Sequence, residues 1–509
     1  MSGSDIAVSI NDLAVLAAVL GGFIVAFSLV SAVIKEKLYL TEASIAIAAG
    51  AIVGPVCANF IDVGKWGDVN QITLGFTRIV IAIQVMVVGI SLPKAYLKKE
   101  FVSLIIMLVP VMIWMWAISG LCVWLMVPGL TLLESLLIAS CFTPTDPVLA
   151  NSILQGRFAE ERVPVDVRNI LASESAANDG LGFPFLFLAI NLIQIQPTSL
   201  AIGKWAYEIC VYQILLSIAI GLVVGYLACK ILEFAERRRL IDKVSLLAFP
   251  IALTLLVMGT VGIIGSDDLL ACFIAGNSFN WDGWFWKETE EDHLQEVIDM
   301  LLNLAIFAFI GATMPWGAFV DAALGLNLWR LVILAILVLL FRRIPIVVAL
   351  KRTIPAIATY REALFSGWFG PMGVSAIFYA MVAQEQFAPN GPNALARSLI
   401  VPVVYFVVLS SVIVHGITIP IYQLTNFARS FTRNSIELTD INIDKDVQTA
   451  LSLAGIPHSP SNNTPHEPNS NKPNSRTPSV LLSSLPVTPS NGSPKSSPPA
   501  SASLKETSD

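Results

Sequence analysis

Long apolar runs separated by short polar breaks recur from about residue 12 to about residue 424, and each run reads as a helix in a hydrocarbon setting. Crossing a bilayer takes about 20 mostly apolar residues in helical form. Thirteen segments meet or approach that length: 12–34, 38–58, 72–92, 102–128, 130–155, 169–193, 207–233, 244–265, 267–281, 297–316, 328–350, 362–384 and 398–424. The pattern therefore predicts an all-α polytopic membrane protein of about thirteen transmembrane helices. The first segment has no basic flank ahead of it and is too long for a cleaved leader, so it reads as the first span.

Composition points the same way. Of 509 residues, 55% are hydrophobic and 13% charged, and the mean hydropathy of +0.72 excludes a soluble multi-domain protein. The basic residues add orientation, because Lys and Arg in short loops stay cytoplasmic. Lys35 and Lys37, then Lys94, Lys98 and Lys99, then Arg157, Arg162 and Arg168, then Arg237, Arg238, Arg239 and Lys243, and finally Lys351, Arg352 and Arg361 occupy alternate loops. The opposite loops hold little beyond Lys65, Lys204 and Arg397. The N-terminus is thus expected outside and the C-terminus in the cytoplasm. An acidic loop, "WKETEEDHLQE", falls on the cytoplasmic side without upsetting this, since acidic residues hardly count in the rule.

The expected organisation is a transmembrane unit over 1–430, a membrane-proximal cytoplasmic segment over 431–456 and a disordered Ser/Pro/Asn-rich tail over 457–509. The tail carries Ser-Pro and Thr-Pro pairs open to proline-directed phosphorylation, or simply the bias of its composition. A net charge of −6 with no basic surface implies no nucleic-acid partner. The six cysteines lie in or beside spans as packing residues, neither paired nor spaced for a metal.

Chemistry enters with "ASESAANDGLGFPFLF", where Glu174, Asn178 and Asp179 stand in the middle of span six. An ionisable group there costs at least about 2.5 kcal/mol, so one that is retained usually lines a pathway or meets a partner. Glu174 and Asn178 share one helix face, and Ser175 and Asp179 share the next. Gly180 and Gly182 thin the helix and Pro184 frees a carbonyl. Carboxylate, amide, hydroxyl and carbonyls together suit a partly dehydrated monovalent cation, and the same carboxylate can take a proton instead. A satisfied interhelical polar cluster is the plainer alternative. In span five, "CFTPTDPVLANSIL", Pro144 and Pro147 flank Thr145 and Asp146 and should break the helix. In span twelve, "SGWFGPMGVSA", Gly367, Gly370, Pro371 and Gly373 promise a second break. The broken spans are seven apart, an odd offset, so units built on them run through the membrane in opposite senses. Inverted repeats with paired discontinuous helices mark secondary transporters.

Together "TPTDPVLANSIL", "VRNILASESAANDGLGFPF", "DDLLACFIAGN" and "GWFGPMGVSAIFYA" resemble the monovalent cation/proton antiporters, and specifically their fungal plasma-membrane sodium/proton branch. The likeness covers about residues 12–430. It implies a sodium/proton antiporter fold in which a core of crossing broken helices moves against dimerisation helices. It implies a homodimer among membrane lipids that exports sodium and lithium, with potassium a further candidate, in exchange for protons, for cation tolerance and pH homeostasis. The implied carboxylate for cation and proton is Asp179, with Asn178, Asp146, Thr145 and Ser175 around it. Glu174 is implied to pair with an Arg of a later core helix, where Arg342 and Arg343 are adjacent; Arg343 is favoured by its spacing to the following apolar run. Asp267 and Asp268 match a pair in this branch, either as a helix N-cap or as a vestibule for arriving cations. Trp368 and His415 read as structural. No enzyme chemistry and no cofactor are expected. A potassium-selective or endosomal antiporter is the alternative within carriers. A cation channel would need a continuous pore, and a receptor or scaffold would leave Asp146, Glu174 and Asp179 unexplained.

Overall fold

The structure, a computed structural model, describes residues 12–38, 40–147, 149–150, 163–289 and 294–422. The segments expected over 431–456 and 457–509 lie outside the described residues. Described residues form helices throughout, and sixteen of them carry the architecture: α1 (Asp12–Ala32), α2 (Glu42–Val53), α3 (Val69–Ser91), α4 (Phe101–Met126), α5 (Leu132–Cys141), α6 (Val165–Gly180), α7 (Gly182–Gln194), α8 (Thr198–Arg237), α9 (Lys243–Ile264), α10 (Asp268–Phe279), α11 (Leu294–Ala312), α12 (Leu328–Phe341), α13 (Ile344–Ala349), α14 (Tyr360–Trp368), α15 (Val374–Glu385) and α16 (Ala394–Tyr422).

Eight helical stretches among the described residues are long and apolar enough to cross a membrane. Four are α1, α3, α4 and α8; the others are α6 with α7, α9, α12 with α13, and α16. The remaining five segments of the thirteen-span expectation coincide with shorter or interrupted helices: α2, α5, α10, α11 and the pair α14 and α15. The expected span over 207–233 is longer in the structure. It begins at Thr198 and passes through a wide π-helical stretch at Trp205–Leu215.

Two packing environments follow from the sequence. α1 is apolar on every side and largely exposed, with Val25 and Leu29 fully outward, as suits a helix whose solvent is hydrocarbon. α10 is the opposite case. It is buried along its whole length between α3 and α8. In hydrocarbon, water expulsion cannot press helices together, so close backbone approach through small residues must do it. Gly276 lies so near α3 that a Cβ would stand 2.3 Å from the Met86 carbonyl oxygen, and a Cβ on Gly225 of α8 would stand 2.2 Å from that of Ala275. α2 and α11 meet the same way, where a Cβ on Gly50 would lie 1.9 Å from the Ala308 carbonyl oxygen. Gly50→Ala is therefore expected to lower stability by about 1–3 kcal/mol through overpacking, seen as a lower midpoint in thermal unfolding of the detergent-solubilised protein. Gly75→Ala, on α3 with open space around it, is the comparison. Equal midpoints for the two would refute the tight α2–α11 contact.

Candidate cation site

The site is built on two interrupted helices. A capping box starts α5: the Thr131 hydroxyl accepts from the Glu134 N–H, and the Glu134 carboxylate accepts from the Thr131 N–H at 2.8 Å. α5 stops at Cys141, because Pro144 and Pro147 have no N–H to continue the ladder. Residues 142–146 are non-helical, and helix resumes at Pro147. α14 begins with the same device, Thr359 with Glu362, and ends at Trp368; residues 369–373 are non-helical before α15 begins at Val374.

The two breaks touch. The Asp146 N–H donates to the Pro371 carbonyl at 2.8 Å. The Asp146 carboxylate accepts from the N–H of Val374, first residue of α15, and from the N–H of Leu149 at 3.4 Å in its own resumed helix. One carboxylate thus serves two helix N-termini, where an anion is favoured. Gly373 makes this possible, since a Cβ there would stand 1.8 Å from the Asp146 carboxylate. The opposite ends meet a cation. Arg342 donates to the carbonyls of Thr143 at 2.8 Å and Pro144 at 3.0 Å in the first break, and to that of Gly370 at 3.0 Å in the second. Carbonyls freed by proline and glycine thereby find donors inside a membrane, as they must.

α6 lays its polar residues against the first break. Asn178 accepts from the Thr145 N–H at 3.1 Å and donates to the Thr145 hydroxyl at 2.8 Å and to Glu174 at 3.1 Å. Ser175 and Thr145 hydroxyls are 2.9 Å apart. Glu174 receives both guanidinium nitrogens of Arg343, at 2.8 and 3.0 Å, a bidentate pair shut off from solvent. Arg343 and Arg342 follow one another in the non-helical step between α12 and α13 and face different partners.

Asp179 differs from all of these. It is fully buried, and among the described residues neither carboxylate oxygen has a partner at good hydrogen-bond geometry; Ser375 Oγ is the polar group that interacts with it. A buried carboxylate with open coordination can take a proton or a bare cation.

Asp267 and Asp268 lie at the start of α10, both buried. Asp267 caps the helix, accepting from the Leu270 N–H at 3.0 Å, while Asp268 pairs with Arg78 of α3 at 2.8 Å. His415 of α16 braces the second break, one ring nitrogen 2.9 Å from the Trp368 carbonyl oxygen and the other 2.8 Å from that of Ser411. Trp368 packs against it. Three partners escaped the sequence reading: Arg78, Tyr379, and Arg342 as the cap of the breaks. Arg78 did carry a signal, being an ionisable residue within the apolar run "LGFTRIVIAIQ".

Comparison with known proteins agrees with this architecture. The transmembrane sodium/hydrogen exchanger family matches residues 23–424. A Na(+)/H(+) antiporter of Saccharomyces cerevisiae is 43% identical over 82% of this chain and 44% of its own length. One from Schizosaccharomyces pombe is 36% identical over 84% of this chain and 95% of its own. The chain spans about half the length of the curated relatives it matches at 40–43% identity. A sodium proton antiporter from Methanocaldococcus jannaschii shares the fold, with a TM-score of 0.58 at 20% identity over 80% of this chain and 100% of that one. With the matched region spanning nearly all the described helices, this multi-pass membrane protein belongs to the sodium/hydrogen exchanger family.

Proposed function

We propose that this protein is a secondary antiporter that exports sodium and lithium from the cytoplasm in exchange for protons, with potassium a further candidate cargo. The observation that carries the reading is Asp179, a fully buried carboxylate without a partner at good hydrogen-bond geometry among the described residues, beside the touching breaks. The names of the yeast relatives, each a Na(+)/H(+) antiporter, support sodium and protons as the exchanged ions.

Exchange follows from competition at one carboxylate. Facing the cytoplasm, Asp179 gives up its proton and takes a cation, helped by oxygens of Thr145, Ser175 and Asn178; tilting of the core then opens the site outward, where protons displace the cation. Empty and charged, Asp179 resists the crossing because an unpaired charge pays its full desolvation cost. That penalty suppresses leak. Asp146 and Arg342 hold the opposed helix ends, and the Glu174–Arg343 pair braces the frame without carrying the ion. Asp267, with one oxygen unbonded at the start of α10, is assigned to cation entry. We place the protein, serving salt tolerance and pH homeostasis, in the plasma membrane as a homodimer among lipids, N-terminus outside, with residues 1–430 as the exchanger, 431–456 as a membrane-proximal segment and 457–509 as a Ser/Pro/Asn-rich cytoplasmic tail.

The test is a panel of lithium, sodium, potassium and rubidium gradients imposed on the reconstituted full chain, with internal pH read by a fluorescent dye. Sodium and lithium are expected to drive counter-movement of protons. Cation current without coupled proton movement would mean a channel, and silence with all four ions would refute the proposal.

A further inference from the structure

We propose that the Tyr379 hydroxyl is the positioning group for the Asp179 carboxylate, acting through the main-chain carbonyls of Asp179 and Gly180; this rests on the reading of Asp179 as the exchange site. The reasoning starts from "DGLGFP", residues 179–184. Pro184 has no N–H, so the Gly180 carbonyl loses the donor that helix geometry would have placed four residues on. The ladder is in fact interrupted there: α6 ends at Gly180 and α7 begins at Gly182. Buried carbonyls in a membrane must find another donor.

Tyr379 of α15 supplies it. Its O–H donates to the Asp179 carbonyl and lies 3.3 Å from the Gly180 carbonyl oxygen. The side chain is wholly buried, its ring packed edge-on to Phe183 with centroids 5.2 Å apart. Gly182 makes the room, because a Cβ there would stand 2.5 Å from the tyrosine ring. Pro184 opens the gap, Gly182 clears the approach, and Tyr379 closes it.

The consequence falls on Asp179. Its carboxylate has no partner at good hydrogen-bond geometry among the described residues, and the polar group that interacts with it, Ser375 Oγ, is on α15 too, so its aim depends on the main chain that carries it and on α15. Tyr379 fixes that main chain from the side. α15 also begins at Val374, whose N–H holds Asp146. One short rigid helix thereby registers both carboxylates, and a movement of α15 moves them together.

Tyr379→Phe removes the hydroxyl and keeps the ring. Sodium-dependent proton movement by the reconstituted full chain is measured across sodium concentration and pH. The half-saturating sodium concentration is expected to rise about five- to tenfold, the loss of one buried hydrogen bond, with the pH profile displaced and the saturated rate within about twofold. Pro184→Ala returns an N–H for the Gly180 carbonyl and is expected to restore much of the loss in Y379F. Tyr405→Phe removes another buried hydroxyl, 3.4 Å from that of Thr313, and is expected to leave half-saturation unmoved. Parental half-saturation and pH profile in Y379F would overturn the proposal, as would a change that Tyr405→Phe reproduces and Pro184→Ala does not relieve. If Y379F does not insert, the Y379F/P184A double variant decides: parental half-saturation supports the proposal, and failure to insert overturns it. Asp179→Asn measured alongside separates the two readings. An active D179N removes the exchange site and the proposal with it, whereas an inactive D179N beside a parental Y379F overturns the proposal alone.

Discussion

Asp179→Asn is expected to reduce cation-dependent proton movement to background in reconstituted vesicles while the protein inserts and melts like the parent. The amide keeps the volume and polarity of the carboxyl group but can neither release a proton nor bring a negative charge to a cation. Stability should hold because no ion pair is lost, neither Asp179 oxygen has a partner at good hydrogen-bond geometry among the described residues, and the amide oxygen of Asn can still meet Ser375 Oγ. This combination sets Asp179 apart from its neighbours. Glu174, Asn178 and Asp146 all hold structure through named contacts, so loss of exchange in their variants would mix chemistry with folding. Exchange by Asp179→Asn near the parental rate would move the proton-coupled site elsewhere. A large fall in melting temperature would show that Asp179 has a structural partner after all.

What could be read from the chain beforehand was whatever has a local cause. Two prolines around Thr145 and Asp146, and the glycines and proline of residues 367–373, break helices wherever they fall, so both interruptions were legible. The polar faces of span six were legible too, since helical periodicity alone places Glu174 beside Asn178 and Ser175 beside Asp179. Partnerships across helices were legible only in part. The spacing to the following apolar run favours Arg343 as the partner of Glu174, as observed, but nothing along the chain turns its neighbour Arg342 to the freed carbonyls. Tyr379 is one more aromatic residue in the run "AIFYAM", and only the gap left by Pro184, on another helix, gives its hydroxyl a purpose. Span count is less legible: α2, α5 and α10 are shorter than a bilayer crossing, α5 because it leads into a break, and apolar length alone does not measure them.

The Glu174–Arg343 pair is expected to respond to single substitutions with the largest losses of stability. Taking one partner away leaves the other charge buried without compensation, which costs about 3–5 kcal/mol. Glu174→Gln leaves the buried Arg343 guanidinium without a counter-charge, with a neutral amide oxygen and the Ser366 carbonyl at 2.9 Å as its oxygen acceptors. Arg343→Met leaves the buried Glu174 carboxyl without its counter-charge, with only Asn178 and Thr145 as donors. Each should lower the unfolding midpoint of the detergent-solubilised protein steeply. Removing both charges together is different, because a buried pair repays little more than its own desolvation and an uncharged replacement of similar volume is often tolerated. The double variant, Glu174→Gln with Arg343→Met, is therefore expected to melt well above either single one. Arg342 is the control that makes this specific. Its guanidinium serves the carbonyls of Thr143, Pro144 and Gly370, so Arg342→Met should destabilise the crossing and Glu174→Gln should not rescue it. If the Glu174 and Arg343 losses simply add, the two residues do not act as a pair; if Glu174→Gln rescues Arg342→Met instead, the partner of Glu174 is Arg342.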